Sequence, residues 1–102
     1  MMNCYEAYRL GKYIRCNSFD ELKQTCNYLS SKGIKWVDKS DIDEESIGLF
    51  KDLEFHIWLV KDSITDTLSW TDSLVNKSGC NFIGNKPIKD EDIVLFCNLS
   101  FK

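Results

Sequence analysis

The side chains best able to do chemistry in this chain are one histidine, five cysteines and a concentrated run of carboxylates, so their spacing is the first guide to function. His56 sits inside the apolar run Glu54 to Val60, with no cysteine or carboxylate at a spacing that would recruit it as a ligand or a general base. Cys4, Cys16, Cys26, Cys80 and Cys97 are odd in number, lie 12, 10, 54 and 17 positions apart and include no Cys-x-x-Cys pair. That pattern argues against a disulfide framework and against a zinc site. Cys16, Cys26 and Cys97 read instead as small apolar core residues. No serine lies in a Gly-x-Ser-x-Gly elbow, and neither a Gly-x-Gly-x-x-Gly loop nor a P-loop occurs, so acyl transfer and phosphate chemistry have no motif to rest on. These residues point to no catalytic group, no metal site and no cofactor.

The carboxylates carry a different message. Between Asp38 and Glu54 seven acidic residues face only Lys39 and Lys51, a local net of minus five in a chain whose total is minus three. The order of the acids does not reproduce the ligand positions of an EF-hand loop, which also needs a glycine at its sixth position. A solvated loop is the plain reading, and an acidic patch that docks a basic partner is the functional one. On that reading Asp41, Asp43, Glu44 and Glu45 are the candidate partner-binding charges. Met1 to Val37 has the opposite sign, six basic residues against three acidic. Arg9, Lys12 and Arg15 there interleave with Tyr5, Tyr8 and Tyr13. A sequence pI near 5.1 nevertheless places the chain on the wrong side of neutrality for direct nucleic-acid binding. Of the three tryptophans, Trp58 and Trp70 are the candidates for an exposed aromatic contact surface, since tryptophan is enriched at interface hot spots.

Several elements must position these residues. Ser18-Phe19-Asp20-Glu21 is a capping-box pattern that predicts a helix over Phe19 to Lys32, with Phe19, Leu22, Cys26 and Leu29 on one face. Gly33 stands where a left-handed C′ residue would, with Ile34 placed for the closing apolar contact. Strands are predicted over Lys12 to Cys16, Ile34 to Val37 and Glu54 to Val60. The last alternates Phe55, Ile57 and Leu59 against His56, Trp58 and Val60, so both its faces are largely apolar. A turn at Lys61 to Ser63 leads to a strand over Ile64 to Trp70, and Asp72 to Lys86 reads as loop. Ile93 to Phe101 alternates as a strand would, with a helix capped at Asp90 as its competitor. The sum is an α+β fold: a small, mainly antiparallel sheet with one principal helix packed on one face.

With 102 residues, 43% apolar and 28% charged, the chain is sized for one core and hence one domain over 1–102. Its longest apolar runs are five residues or fewer, and Glu6, Arg9, Lys12 and Arg15 interrupt the N-terminal region, so neither a membrane span nor a secretory signal is expected. A reducing cytoplasmic setting follows, in which the sequons at Asn76 and Asn98 stay unmodified.

The run Ser18-Phe19-x-Glu21-Leu22 to Leu29-x-x-x-Gly33-Ile34-x-Trp36, after a short strand and before an acidic segment, resembles a pattern in small accessory proteins of bacteriophages and prophages. The resemblance covers about a fifth of the chain. It implies a non-enzymatic counter-defence inhibitor of anti-CRISPR type, acting in the host cytoplasm on a host protein or protein–nucleic acid complex. The residues leave two alternatives open, a nucleotide sponge binding in a dimer crevice and an enzyme of unrecognised type. A homodimer is a further expectation: burying Phe55, Ile57 and Leu59 under the helix leaves Trp58 and Val60 to be covered by another copy.

Overall fold

The computed structural model describes residues 1–62, 64–72 and 89–102, together with the backbone of 82–83 and 86–87. In chain order the elements are β1 (Met2–Asn3), α1 (Cys4–Arg9), β2 (Tyr13–Cys16), α2 (Phe19–Ser31), α3 (Glu44–Gly48), β3 (Ile57–Lys61), β4 (Leu68–Thr71), β5 (Phe82–Ile83), β6 (Lys86–Pro87), β7 (Ile93–Leu95) and β8 (Leu99–Ser100). The fold is α+β. Its central sheet has the order β4-β3-β2-β7 and is mainly antiparallel with one parallel pair: β3 runs antiparallel to both β2 and β4, whereas β7 joins β2 in parallel. A second parallel pair, β1 with β8, brings the two ends of the chain together.

The principal helix forms where its caps predict. The Ser18 hydroxyl accepts the Glu21 N–H at 3.3 Å, while the Glu21 carboxylate takes the Asn17 N–H at 2.9 Å, one residue before the expected partner. At the other end Gly33 adopts φ +84°. Its N–H reaches the Ser30 carbonyl and the Ile34 N–H reaches that of Leu29, the two bonds of a Schellman motif. Leu22, Cys26 and Leu29 are fully buried and Phe19 is half-buried. Thr25 on the same side is also buried, its hydroxyl satisfied by the Glu21 carbonyl at 2.9 Å. Under this face lie Ile14 and Cys16 of β2 and Ile57 and Leu59 of β3, all without exposed surface.

Four expectations are corrected. Ile34 to Val37 is not a strand but one arm of a tight hairpin held by single bridges, Lys35 with Asp41 and Trp36 with Leu68. The strand expected over Ile64 to Trp70 begins only at Leu68, because the Asp62 carboxylate gathers the Ile64 and Thr65 N–H groups and Asp66 turns at φ +47°. The C-terminal alternation is interrupted: β7 and β8 flank a 3₁₀ turn at Phe96–Asn98, and the competing helix capped at Asp90 is only a single 3₁₀ turn, Asp90–Asp92. Cys97 is exposed rather than in the core, and Cys4 is buried instead. The predicted loop over Asp72 to Lys86, with Asn76 and Cys80, lies mostly outside the described residues. Among the described residues no helix is long and apolar enough to cross a membrane.

The buried thiols give a testable consequence. Burial pushes the Cys4 and Cys16 thiols up to about 12 and raises that of Cys26 as well. These folded-state values lie above the ordinary 9.0. The folded chain therefore keeps protons that the unfolded chain releases, and stability, fully present below about pH 9, falls as pH rises toward 12. A thiol reagent near neutral pH should modify Cys97 while sparing Cys4, Cys16 and Cys26 until denaturant is added, as peptide mapping by mass spectrometry would show. Labelling of Cys16 or Cys26 in the folded protein would contradict their place in the core.

Candidate protein-docking groove

The acidic segment is not all loop: it contains the short helix α3. Asp43 caps α3: its carboxylate accepts the Ser46 N–H at 2.9 Å, and the Ser46 hydroxyl accepts the Asp43 N–H at 3.0 Å. Glu44 and Glu45 occupy the first turn, where the positive end of the helix favours them. Ile42, Ile47 and Phe50 turn inward and are buried. Ser30 of α2 donates to the Ile42 carbonyl at 2.8 Å, which ties the segment to the principal helix.

Before α3 the chain reverses between Trp36 and Ser40. The Trp36 N–H bonds the Ser40 carbonyl at 3.0 Å, Lys39 takes φ +71°, and the Asp38 carboxylate accepts both the N–H and the hydroxyl of Ser40. These Ser40 hydrogen bonds, the hydroxyl first, hold the Asp38 carboxyl below its ordinary range, and the Ser46 N–H does the same for Asp43. Both therefore stay charged well into the acid range. The hairpin docks on the outer side of β4 through Leu68, whose N–H reaches Lys35 at 2.8 Å and whose carbonyl accepts from Val37 at 2.9 Å.

Between this hairpin, α3 and β4 lies a groove of about 290 Å³. An aromatic series runs along it: the Trp36 and Phe50 rings are 5.7 Å apart, and Phe50 meets Trp70 edge-on at 4.9 Å. Trp36 and Phe50 are buried, and the Trp36 indole N–H is fixed by the Ser46 hydroxyl at 2.9 Å. The lips are the unusual part. Val37, Leu49, Leu53 and Trp70 are 48%, 76%, 41% and 42% exposed, an apolar grouping in the most acidic part of the chain. Glu45 is one turn before Leu49 on the same helical stripe, and Asp38 lines the groove itself.

The six residues singled out from sequence do not form one surface. Trp70 lines the groove, whereas Trp58 is half-buried on the opposite side of the sheet. The register explains this: Leu59 pairs with Trp70 and Trp58 with Thr71, so the two indoles leave by opposite faces. Trp58 lies beneath the Arg15 guanidinium, 6.0 Å from its ring centre, and Arg15 in turn donates to the His56 ring. Asp41 is exposed and paired with Lys35. Asp43 is spent on its cap. Glu44 and Glu45 are exposed and make no ion pair among the described residues, which leaves them as the charges free to attract a partner.

Sequence reasoning missed Trp36, Val37, Leu49, Phe50 and Leu53. A signal was present: Asp43-x-x-Ser46 is a cap pattern, and Ile47, Phe50 and Leu53 recur at threes behind it. The Ser40 and Ser46 hydroxyls are engaged, and His56 is on Arg15 across the sheet. Among the described residues no three His, Cys, Asp or Glu side chains converge to hold a metal. In comparisons with known proteins, no family model, curated protein or solved structure matches this chain.

Proposed function

We propose that this chain is a non-enzymatic binding protein, an inhibitor or adaptor that captures a basic segment of a partner protein in the groove between Trp36, Phe50 and Trp70. The observation that carries the reading is the exposure of Val37, Leu49, Leu53 and Trp70 together, beside Glu44 and Glu45, which have no counter-ion among the described residues. Contiguous exposed apolar groups rimmed by polar residues mark contact surfaces, and the surrounding charge selects the partner's sign. A host-directed, counter-defence role for that binding is what the resemblance of the Ser18 to Trp36 pattern adds.

The immobilised protein should retain a set of proteins from host lysate that elutes with salt. Leu49→Asp and Trp70→Ala should each lose that set while the fold is kept, since Leu49 is 76% exposed and Trp70 is not among the buried core side chains. Glu44→Gln with Glu45→Gln should slow association with the purified partner, most visibly at low ionic strength. Retention of the same proteins by Leu49→Asp would remove the groove from the function.

A further inference from the structure

The main chain at the mouth of the groove suggests how a partner is held. In the antiparallel pair β3–β4 the backbone groups alternate between facing the partner strand and facing away. The Asp62 N–H bonds the Thr67 carbonyl at 2.8 Å, which sets the phase. Ser69 and Thr71 therefore turn their N–H and C=O groups toward β3, and Leu68 and Trp70 turn theirs outward. Those of Leu68 are taken by Lys35 and Val37. Continued one step, the same parallel ladder would give the Trp70 groups to Val37 and Lys39. The chain has curled away by then: the Lys39 N–H closes the turn on the Trp36 carbonyl. Among the described residues nothing pairs with the Trp70 N–H or C=O. Among the described residues one donor and one acceptor of a sheet edge thus stand open, at the residue whose indole forms a lip of the groove.

Deepening the docking reading above, on which it rests, we infer that the partner is bound as an extended strand added antiparallel to the β4 edge at Trp70, and that it carries an apolar residue with a basic residue two positions before it. The residue opposite Trp70 exchanges both main-chain bonds with it, and its side chain falls on the same side of the sheet as the indole, into the apolar groove. Running antiparallel, the partner residue two positions earlier comes opposite Asp72. Asp72 also lines a second depression, which shares Leu53 with the groove and is bordered further by Asp52, Glu54, Phe55 and His56. A lysine or arginine meets opposite charge at that point. Beyond the apolar residue the segment must leave the edge, because Lys35 to Val37 already occupies the place beside Leu68.

The probe is the end-blocked peptide Ser-Lys-Thr-Phe-Thr-Ser, titrated into the ¹⁵N-labelled full chain and followed through the Trp70 amide and the Trp36 and Trp70 indole resonances. The expected result is saturable shifts at all three, lost in Leu49→Asp. Methylating the backbone nitrogen of the peptide's phenylalanine should weaken binding about tenfold, the loss of one hydrogen bond with its partner left unmet. Methylating the threonine before it, whose N–H faces solvent, should not. Equal binding by the phenylalanine-methylated peptide, or tighter binding at these resonances by a lysine- and phenylalanine-bearing helical peptide, overturns the strand mode and leaves the groove as the docking site. If neither peptide moves the groove resonances, both readings fall.

Discussion

Leu22→Ala and Leu29→Ala should each lower the stability of the fold by about 2 to 5 kcal/mol, the usual cost of emptying a fully buried leucine site. Both side chains have no exposed surface, and both belong to the stripe of α2 that lies on β2 and β3. Leu29 carries a second duty, since its carbonyl accepts the Ile34 N–H in the motif that ends the helix. The main-chain bond survives truncation, so the two variants should differ mainly in how well each cavity collapses. Domains of this size have only about 5 to 15 kcal/mol in hand, so either change consumes a large share. Urea denaturation should show a lower midpoint at unchanged slope, with Lys23→Ala on the exposed side as the silent control. Midpoints unaffected by the leucine changes would mean that another face of α2 is the packed one.

The accuracy of that helix assignment has a local cause, and most of the failures elsewhere have non-local ones. The caps, the spacing of Leu22, Cys26 and Leu29, and Gly33 all lie within sixteen residues of one another, so every signal that shapes α2 is contained in one window. The apolar strand around Ile57 and Leu59 is legible for the same reason. The Trp70 groove is not, because it depends on register. The turn gathered by Asp62 sets Leu59 opposite Trp70, and that pairing decides which face each indole takes. The parallel partners of β2 and β1 come from the far end of the chain, and alternation within Ile93 to Phe101 says nothing about where two strands of different sheets must be divided. In the acidic segment the density of charge masks a short helix whose inward residues, Ile47 and Phe50, are buried. Its cap pattern and the recurrence of Ile47, Phe50 and Leu53 were readable, but only five residues are helical and the charges around them dominate the reading.

Trp36→Ala should be comparably costly, about 3 to 5 kcal/mol, and should abolish docking as well. Trp36 joins the hairpin, α3 and the aromatic series: its ring packs on Phe50 and its indole N–H is held by Ser46, whose hydroxyl also completes the α3 cap. Removing the ring takes away the floor of the groove and one anchor of the segment that carries Leu49 and Leu53. Trp36→Phe separates the two contributions. It keeps an aromatic floor but gives up the hydrogen bond, a loss of about 1 kcal/mol from that source, so docking should persist at a modest cost in stability. If the Trp36–Ser46 bond is the coupling, Ser46→Ala in the Trp36→Phe background should cost less than in the wild type, the excess being the coupling energy. Strict additivity in that double-mutant cycle, read from urea midpoints, would show that the α3 cap stands without the tryptophan. The groove would then be held by ring packing alone.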